Sequence, residues 1–199
     1  MMEKIKSIKW FKHSCFNALP KFYSEKRKIA NLIVGNAVGK IFVDAFMGSG
    51  AVSLLAKAEN FQVIANDNSL YSFFLGKGIL ENNSTKLDDY DLMRLLVESP
   101  NNRHYCEEQY AGDFFSTRHA RFIDNAATVL NIDKKIYSPV KHALLNCFLM
   151  KFIFALRPYG NFSTKYLTDL IEAPFECDLE PLKIKASYIK DAFTPIWDL

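Results

Sequence analysis

Two glycines one residue apart, set between an apolar β-prone run and an alanine- and leucine-rich one, constrain this chain more than any other feature. The stretch is Phe42-Val43-Asp44-Ala45-Phe46-Met47-Gly48-Ser49-Gly50-Ala51-Val52-Ser53-Leu54-Leu55. Ile41 to Val43 read as a strand covered on both faces. Gly48 and Gly50 permit positive φ and let a ligand approach bare backbone. Ala51 to Ala58 then read as a helix whose first N–H groups point back into the turn. A strand, turn and helix in this order place a small-molecule site at the carboxyl end of the strand.

Two common ligand loops do not fit. The dinucleotide fingerprint has a third glycine where this chain has Ser53. A phosphate-cradling loop has four residues between its glycines, followed by Lys and Ser or Thr. Gly35-Asn36-Ala37-Val38-Gly39-Lys40 has only Asn36, Ala37 and Val38 between them, and Ile41 follows. On these residues alone, an ordinary glycine turn of an α/β domain stays open.

The next strand narrows the choice. Phe61-Gln62-Val63-Ile64-Ala65-Asn66-Asp67 reads as a second strand ending in an acid, near the spacing at which such an acid reaches ribose hydroxyls. A ribose diol offers two O–H donors and a carboxylate accepts both. Asn68-Ser69 then caps a helix carrying Leu70, Phe73, Phe74, Ile79 and Leu80. Asp67 as a plain cap acid is the alternative, but a glycine turn on one strand end and an acid on the next together favour a nucleoside.

Composition bounds the rest. At 199 residues, with 49% apolar content and 17 phenylalanines, the chain is a globular domain with room for one insertion. A net charge of +3 permits a nucleic-acid partner without arguing for one. Cys15, Cys106, Cys147 and Cys177 are far apart without Cys-x-x-Cys pairing, which argues against zinc and for reduced core thiols in a cytoplasmic protein. The apolar run Leu144 to Leu156 contains Asn146 and Lys151 and falls short of the ~20 residues of a membrane helix.

Ahead of the glycine turn, Tyr23-Ser24-Glu25-Lys26-Arg27-Lys28 leads into an amphipathic helix with Ile29, Leu32 and Ile33 on its apolar side, closed by Gly35 or Gly39. From about Asn82 the strand signals stop. Asp91 to Glu98, Thr117 to Leu130 and Pro139 to Leu156 read as helices, the last opened by Ser138 with proline in the first turn. Leu182 to Phe193 alternates like a strand.

Asp44-x-Phe46-x-Gly48-x-Gly50 resembles the S-adenosylmethionine loop of amino-directed DNA methyltransferases, and the order of segments around it is similar to that of the DNA adenine methylase family. The resemblance implies an α/β fold, part of a Rossmann-like S-adenosylmethionine-binding sheet with a helical insertion. Residues 1–81 and 176–199 would form the incomplete cofactor-binding domain, and 82–175 the insertion that reads double-stranded DNA. It implies cofactor contacts from Tyr23, Lys26, Asp44, Phe46, Gly48, Ser49, Gly50, Asp67 and Asn68, and from Asp191 and Phe193 near the end of the last strand. The glycine that the family has ahead of the lysine is missing, so Tyr23 and Lys26 read equally as a solvated helix start.

Arg157-Pro158-Tyr159-Gly160-Asn161-Phe162-Ser163-Thr164-Lys165 resembles the family's Tyr-Gly-x-Phe-x-x-Lys segment, which implies DNA contacts from Arg157, Tyr159, Gly160 and Lys165. A helix-ending turn with aromatic packing is the alternative reading. The family's Asp-Pro-Pro-Tyr motif, whose first side chain and prolyl carbonyl orient the adenine amine, does not occur in the sequence, so no catalytic residue is assigned. The expectation is therefore a site-specific DNA adenine-N6 methyltransferase of a restriction–modification system, truncated, split or degenerate. A second fragment or second copy would supply the missing strands. The rival expectations are an inactive methylase-derived binding or regulatory module and, more weakly, methyl transfer to RNA or a small molecule.

Overall fold

A computed structural model describes residues 14–19 and 26–156. Two 3-10 turns, Ser14–Ala18 and Lys26–Lys28, lead to α1 (Ala30–Gly35), β1 (Ile41–Asp44), α2 (Ala51–Ala58) and β2 (Gln62–Ala65). α3 (Leu70–Leu75) runs on into a π-helical turn, Gly76–Leu80, and then come α4 (Asp89–Leu96), α5 (Tyr105–Tyr110), α6 (Thr117–Asp133) and α7 (Pro139–Leu156). The described residues thus form a mixed α/β structure with a short two-stranded parallel sheet, compatible with part of a methyltransferase fold.

β1 pairs with β2 so that Phe42 faces Val63 and Asp44 faces Ala65. α2 crosses over between the strands and packs on them, as parallel pairing demands. Its first six residues, Ala51 to Ala56, are all buried, and its end is a Schellman turn. Asn60, at φ 65°, donates its N–H to Lys57 O, and Phe61 donates to Ala56 O.

Among the described residues only one face of the sheet is covered. Phe42 and Val63 pack against the core, whereas Ile41 and Val43 stay 54% and 66% exposed, so the described residues supply one of the two covers expected for this strand. The apolar run of β1 marks two apolar faces, and α2 occupies one. α1 departs from its expected packing. Ala30 and Val34 are its buried residues, while Ile29, Leu32 and Ile33 are exposed. The closely packed α2 leaves space for the small side of α1 rather than for its larger apolar residues.

Past β2 the helices assemble around α6 and α7. Phe122 of α6 and Phe152 of α7 meet edge to face at 4.8 Å. α4 is tied to this pair by charge: Arg94 grips the buried Asp133 with Nε 2.9 Å from Oδ2, and Lys141 reaches the buried Asp91 at 2.8 Å. Asp88 and Asp91 form a reciprocal capping box that starts α4 at Asp89, two residues ahead of the sequence expectation. α7 also packs against α3 and the π turn, so one long helix touches both the α/β part and the helical part. Its start follows the expected chemistry, with Ser138 Oγ accepting the Lys141 N–H at 3.2 Å and Pro139 first in the helix.

Candidate functional site

The glycine turn sits where β1 and β2 both end, and second-strand residues hold it in shape. Gly48 and Gly50 adopt φ of 55° and 75°, the left-handed conformation that the sequence demanded of them. Met47 donates its N–H to Asn66 O at 2.9 Å, and Asn66 Nδ2 donates to Ala45 O at 3.0 Å. The Gly48 N–H donates to Asp67 Oδ2 at 2.8 Å, and the Gly48 carbonyl accepts from Ser72 Oγ at 2.8 Å. The loop is thus clamped from both of its sides by residues 66–72.

Asp67 also accepts the Ser69 N–H at 2.9 Å through its other oxygen. Ser69 is the N-cap residue of α3 but its side chain makes no cap bond, so the expected Asn68-Ser69 cap is not formed through a side chain. The Gly48 and Ser69 N–H bonds hold the Asp67 carboxyl below the usual carboxylate range, so it is ionised at neutral pH. The Ser72 hydroxyl and the Asn68 N–H also bond the carboxyl and lower it further.

Asp44, at the end of β1, accepts Ser53 Oγ at 2.6 Å. Ser53 is the residue that spoils the dinucleotide match, and its side chain anchors the strand-end acid from the first turns of α2. Phe46 stands 79% exposed beside the turn, Ser49 is half-buried and Asn68 is exposed. A hollow of about 140 Å³ next to the turn is lined by Met47, Asn66, Asp67, Ser72, Phe73 and Gly76 among others. That volume is below the ~300–1,000 Å³ of a complete small-molecule pocket.

The structure brings Asp44, Phe46, Gly48, Ser49, Gly50, Asp67 and Asn68 together at this sheet end. Lys26 is exposed in the 3-10 turn that packs on α1 and α2. Tyr23, Asp191 and Phe193, and the DNA-contact candidates Arg157, Tyr159, Gly160 and Lys165, lie outside the described residues. Sequence reasoning missed Asn66 and Ser72 as loop clamps and read Ser53 only as a mismatch. The available signal was a serine within each of two otherwise apolar or aromatic helical runs, Ser53 among Val52, Leu54 and Leu55, and Ser72 among Tyr71, Phe73 and Phe74.

Among the described residues no group of three or more His, Cys, Asp or Glu is arranged to hold a metal, and no helix is long and apolar enough to cross a membrane. Cys15, Cys106 and Cys147 are buried thiols.

A family model for the D12 class N6 adenine-specific DNA methyltransferase matches residues 25–193. The Type II methyltransferase M.NlaIII of Neisseria lactamica is 31% identical over 110 residues, covering 46% of this chain and 33% of that protein. The chain therefore matches about a third of the length of this relative. No solved structure matches the chain at a significant level.

Proposed function

The chain belongs to the D12 class of N6 adenine-specific DNA methyltransferases, and from that premise we propose that its glycine turn binds S-adenosylmethionine for methylation of adenine N6 in double-stranded DNA. The single observation that carries this reading is the clamp between Gly48 and Asp67. It joins the backbone of the glycine turn at the end of one strand to an ionised acid at the end of the next. S-adenosylmethionine supplies, when bound, an electrophilic methyl on a sulfonium.

The residues present fit that group. Asp67 would take the ribose hydroxyls, as charge-assisted bonds to a carboxylate. Gly48 would present exposed backbone without side-chain obstruction, with Ser49 and Gly50 completing the turn, and the positive N-terminal end of α2 suits the carboxylate of the amino-acid part. Phe46 and Asn68 would flank the nucleoside, and Lys26, Tyr23, Asp191 and Phe193 are proposed further contacts. Asp44, fixed by Ser53, would close the floor of the site.

In this reading β1, α2 and β2 are the start of a Rossmann-like sheet formed by residues 1–81 and 176–199. Residues 82–175 are the DNA-reading insertion, with Arg157, Tyr159, Gly160 and Lys165 on the DNA. The remaining strands of such a sheet would pair at its open edges, and Ile41, Val43 and Ile64 form the face that the rest of the domain would cover, whether supplied in the same chain, by a second copy or by a separate fragment. The relative is a Type II methyltransferase, which supports a place in a restriction–modification system and a cytoplasmic location, where the DNA is.

A second reading, a binding module without methyl transfer, is favoured by the lack of Asp-Pro-Pro-Tyr in the sequence. Calorimetric titration with S-adenosylmethionine tests the first claim: heat that the demethylated product competes away is expected, and its absence removes the cofactor. Transfer of labelled methyl to unmethylated duplex DNA by the purified 199-residue chain then decides between the two readings.

A further inference from the structure

The glycine turn is held by its carbonyls as well as by its amides. Asn66 Nδ2 donates to Ala45 O at 3.0 Å, and Ser72 Oγ donates to Gly48 O at 2.8 Å. No peptide bond among the described residues is cis. In a planar trans peptide the C=O and the N–H of the next residue point in opposite directions. Drawing the Gly48 carbonyl to Ser72 therefore turns the Ser49 N–H away from α3, and drawing the Ala45 carbonyl to Asn66 turns the Phe46 N–H away from that side chain. Neither N–H has an acceptor among the described residues. Gly48 is exposed, and a Cβ on it would meet nothing within 4 Å. Unbonded backbone N–H groups on so open a turn are donors for a ligand.

Ser72 has a second acceptor. It is 2% exposed, in a helix otherwise made of Leu70, Tyr71, Phe73, Phe74 and Leu75. A hydroxyl buried in such a run is costly unless bonded. Besides Gly48 O it bonds the Asp67 carboxyl, adding to the larger effect of the Gly48 and Ser69 N–H groups and to that of Asn68. A carboxylate has about four lone-pair positions, and a hydroxyl has one proton. These four donors fill Asp67, and the Ser72 proton is divided between the acid and the turn. Of the four, Ser72 alone has another acceptor among the described residues, so it is the one that can yield its place to a ribose hydroxyl.

We propose that Ser72 is a positioning residue for the cofactor: its hydroxyl aims the Ser49 N–H at an acceptor atom of the ligand and gives up its place on Asp67 as the ribose arrives. Ser72 acts through Gly48 and Asp67 rather than on the ligand itself. With the ribose on Asp67, the Ser72 proton belongs wholly to Gly48 O, and the turn is fixed when the site is filled. The proposal rests on the reading of the turn as an S-adenosylmethionine site.

The test uses the full 199-residue chain, with S-adenosylmethionine affinity from calorimetry and the Asp67 carboxyl titrated by NMR without ligand. Ser72→Ala is expected to lower the affinity about tenfold at neutral pH, through loss of the anchor on the Gly48 peptide. It should also raise the pH at which Asp67 titrates, because a bond that favours the ionised form is gone. The charged side chains beside Asp67 are Lys77 in the π turn and Glu81 just after it, which line the same hollow and pair with each other, and they are unchanged in the variant. Ser72→Cys nearly keeps the volume and offers only a weak S–H donor, so it should show the same two changes. Gly78→Ala, a crowding change further along the same helical stretch, should show neither.

Wild-type affinity in both Ser72 variants, a loss matched by Gly78→Ala, or an Asp67 titration that neither Ser72 variant moves overturns the proposal. Binding by the wild-type chain that the Ser72 variants leave intact sinks the role of Ser72 alone. No binding by the wild-type chain sinks the cofactor reading, and the role of Ser72 with it.

Discussion

Ser53 Oγ donates to Asp44 Oδ2 at 2.6 Å, linking the first turns of α2 back to the end of β1 across the glycine turn that separates them. Ser53 is 0% exposed, so the bond is shielded from competing water on its donor side. A glycine here would allow close helix–strand packing but leave Asp44 without this anchor. Ser53→Ala removes a hydrogen bond to a charged acceptor, for which a loss of about 1.5–3 kcal/mol is expected. Urea unfolding of the variant measures it. An unchanged unfolding free energy means that the bond contributes nothing to the turn.

Asp67 holds Gly48 with one oxygen and Ser69 with the other. Asp67→Ala is expected to lower S-adenosylmethionine affinity by about tenfold or more, at roughly 1.5–3 kcal/mol for lost charged bonds. Asp67→Asn should not restore it, because the amide NH2 would face a backbone N–H. The carboxyl is held below its ordinary value in the fold, so its stabilisation is present above the ordinary carboxylate pKa and is lost as pH falls through the lowered folded value. Wild type should thus lose more stability than Asp67→Ala on acidification below about pH 4. Thermal melts at neutral and acid pH check this; identical acid sensitivity would show that the clamp is not what titrates.

How legible this was in the sequence depended on whether local chemistry or tertiary contact set each element. β1, α2, β2 and α7 are marked by turn glycines, apolar runs and a Ser-Pro start, and they stand within a residue or two of expectation. α5, Tyr-Cys-Glu-Glu-Gln-Tyr, has no apolar stripe; its first turn is fixed by Asp124 from α6, eighteen positions after Cys106. The π turn looks like ordinary helix in sequence, because bonds one residue longer than an α bond, such as Glu81 N–H to Gly76 O, leave no mark in the residue pattern. At the site, Gly48, Gly50 and Asp67 were legible from spacing, whereas Ser53 and Ser72 depend on which helix face meets the turn. For the sheet, a fully apolar strand does not say which of its faces the described helices cover.

Gly78 lies in the π turn against the start of α7, so close that an added Cβ would stand 3.0 Å from Leu144 N and 3.1 Å from Ala143 C. Both are backbone atoms that cannot swing aside. Gly78→Ala is expected to destabilise the protein by about 1–3 kcal/mol through overpacking, despite the better helix propensity of alanine. Gly35→Ala, with open space around its Cβ position, is the matched control and should be neutral or slightly stabilising. Equal melting temperatures of the two variants would show that α7 shifts freely away from the π turn.

Two half-buried ammonium groups and, among the described residues, three buried thiols are expected to place a stability maximum on the alkaline side. Burial lowers Lys57 and Lys151 from 10.5 to about 8, although Lys57 Nζ donates to Leu80 O and Asn82 O, and Lys151 Nζ to Asn17 O. Burial raises Cys15 from 9.0 to about 12 and Cys106 to about 11, and it raises Cys147 further. From pH 8 upward the native lysines release protons that the unfolded chain keeps, so stability rises with pH. Above pH 9 the unfolded thiols ionise while the native ones do not, and three thiols outweigh two lysines, so stability falls. Urea midpoints under reducing conditions should therefore be higher at about pH 9 than at about 7.5 or 10.5. A steady fall from 7.5 would mean that the lysines are solvated in the fold, and a steady rise that the thiols are.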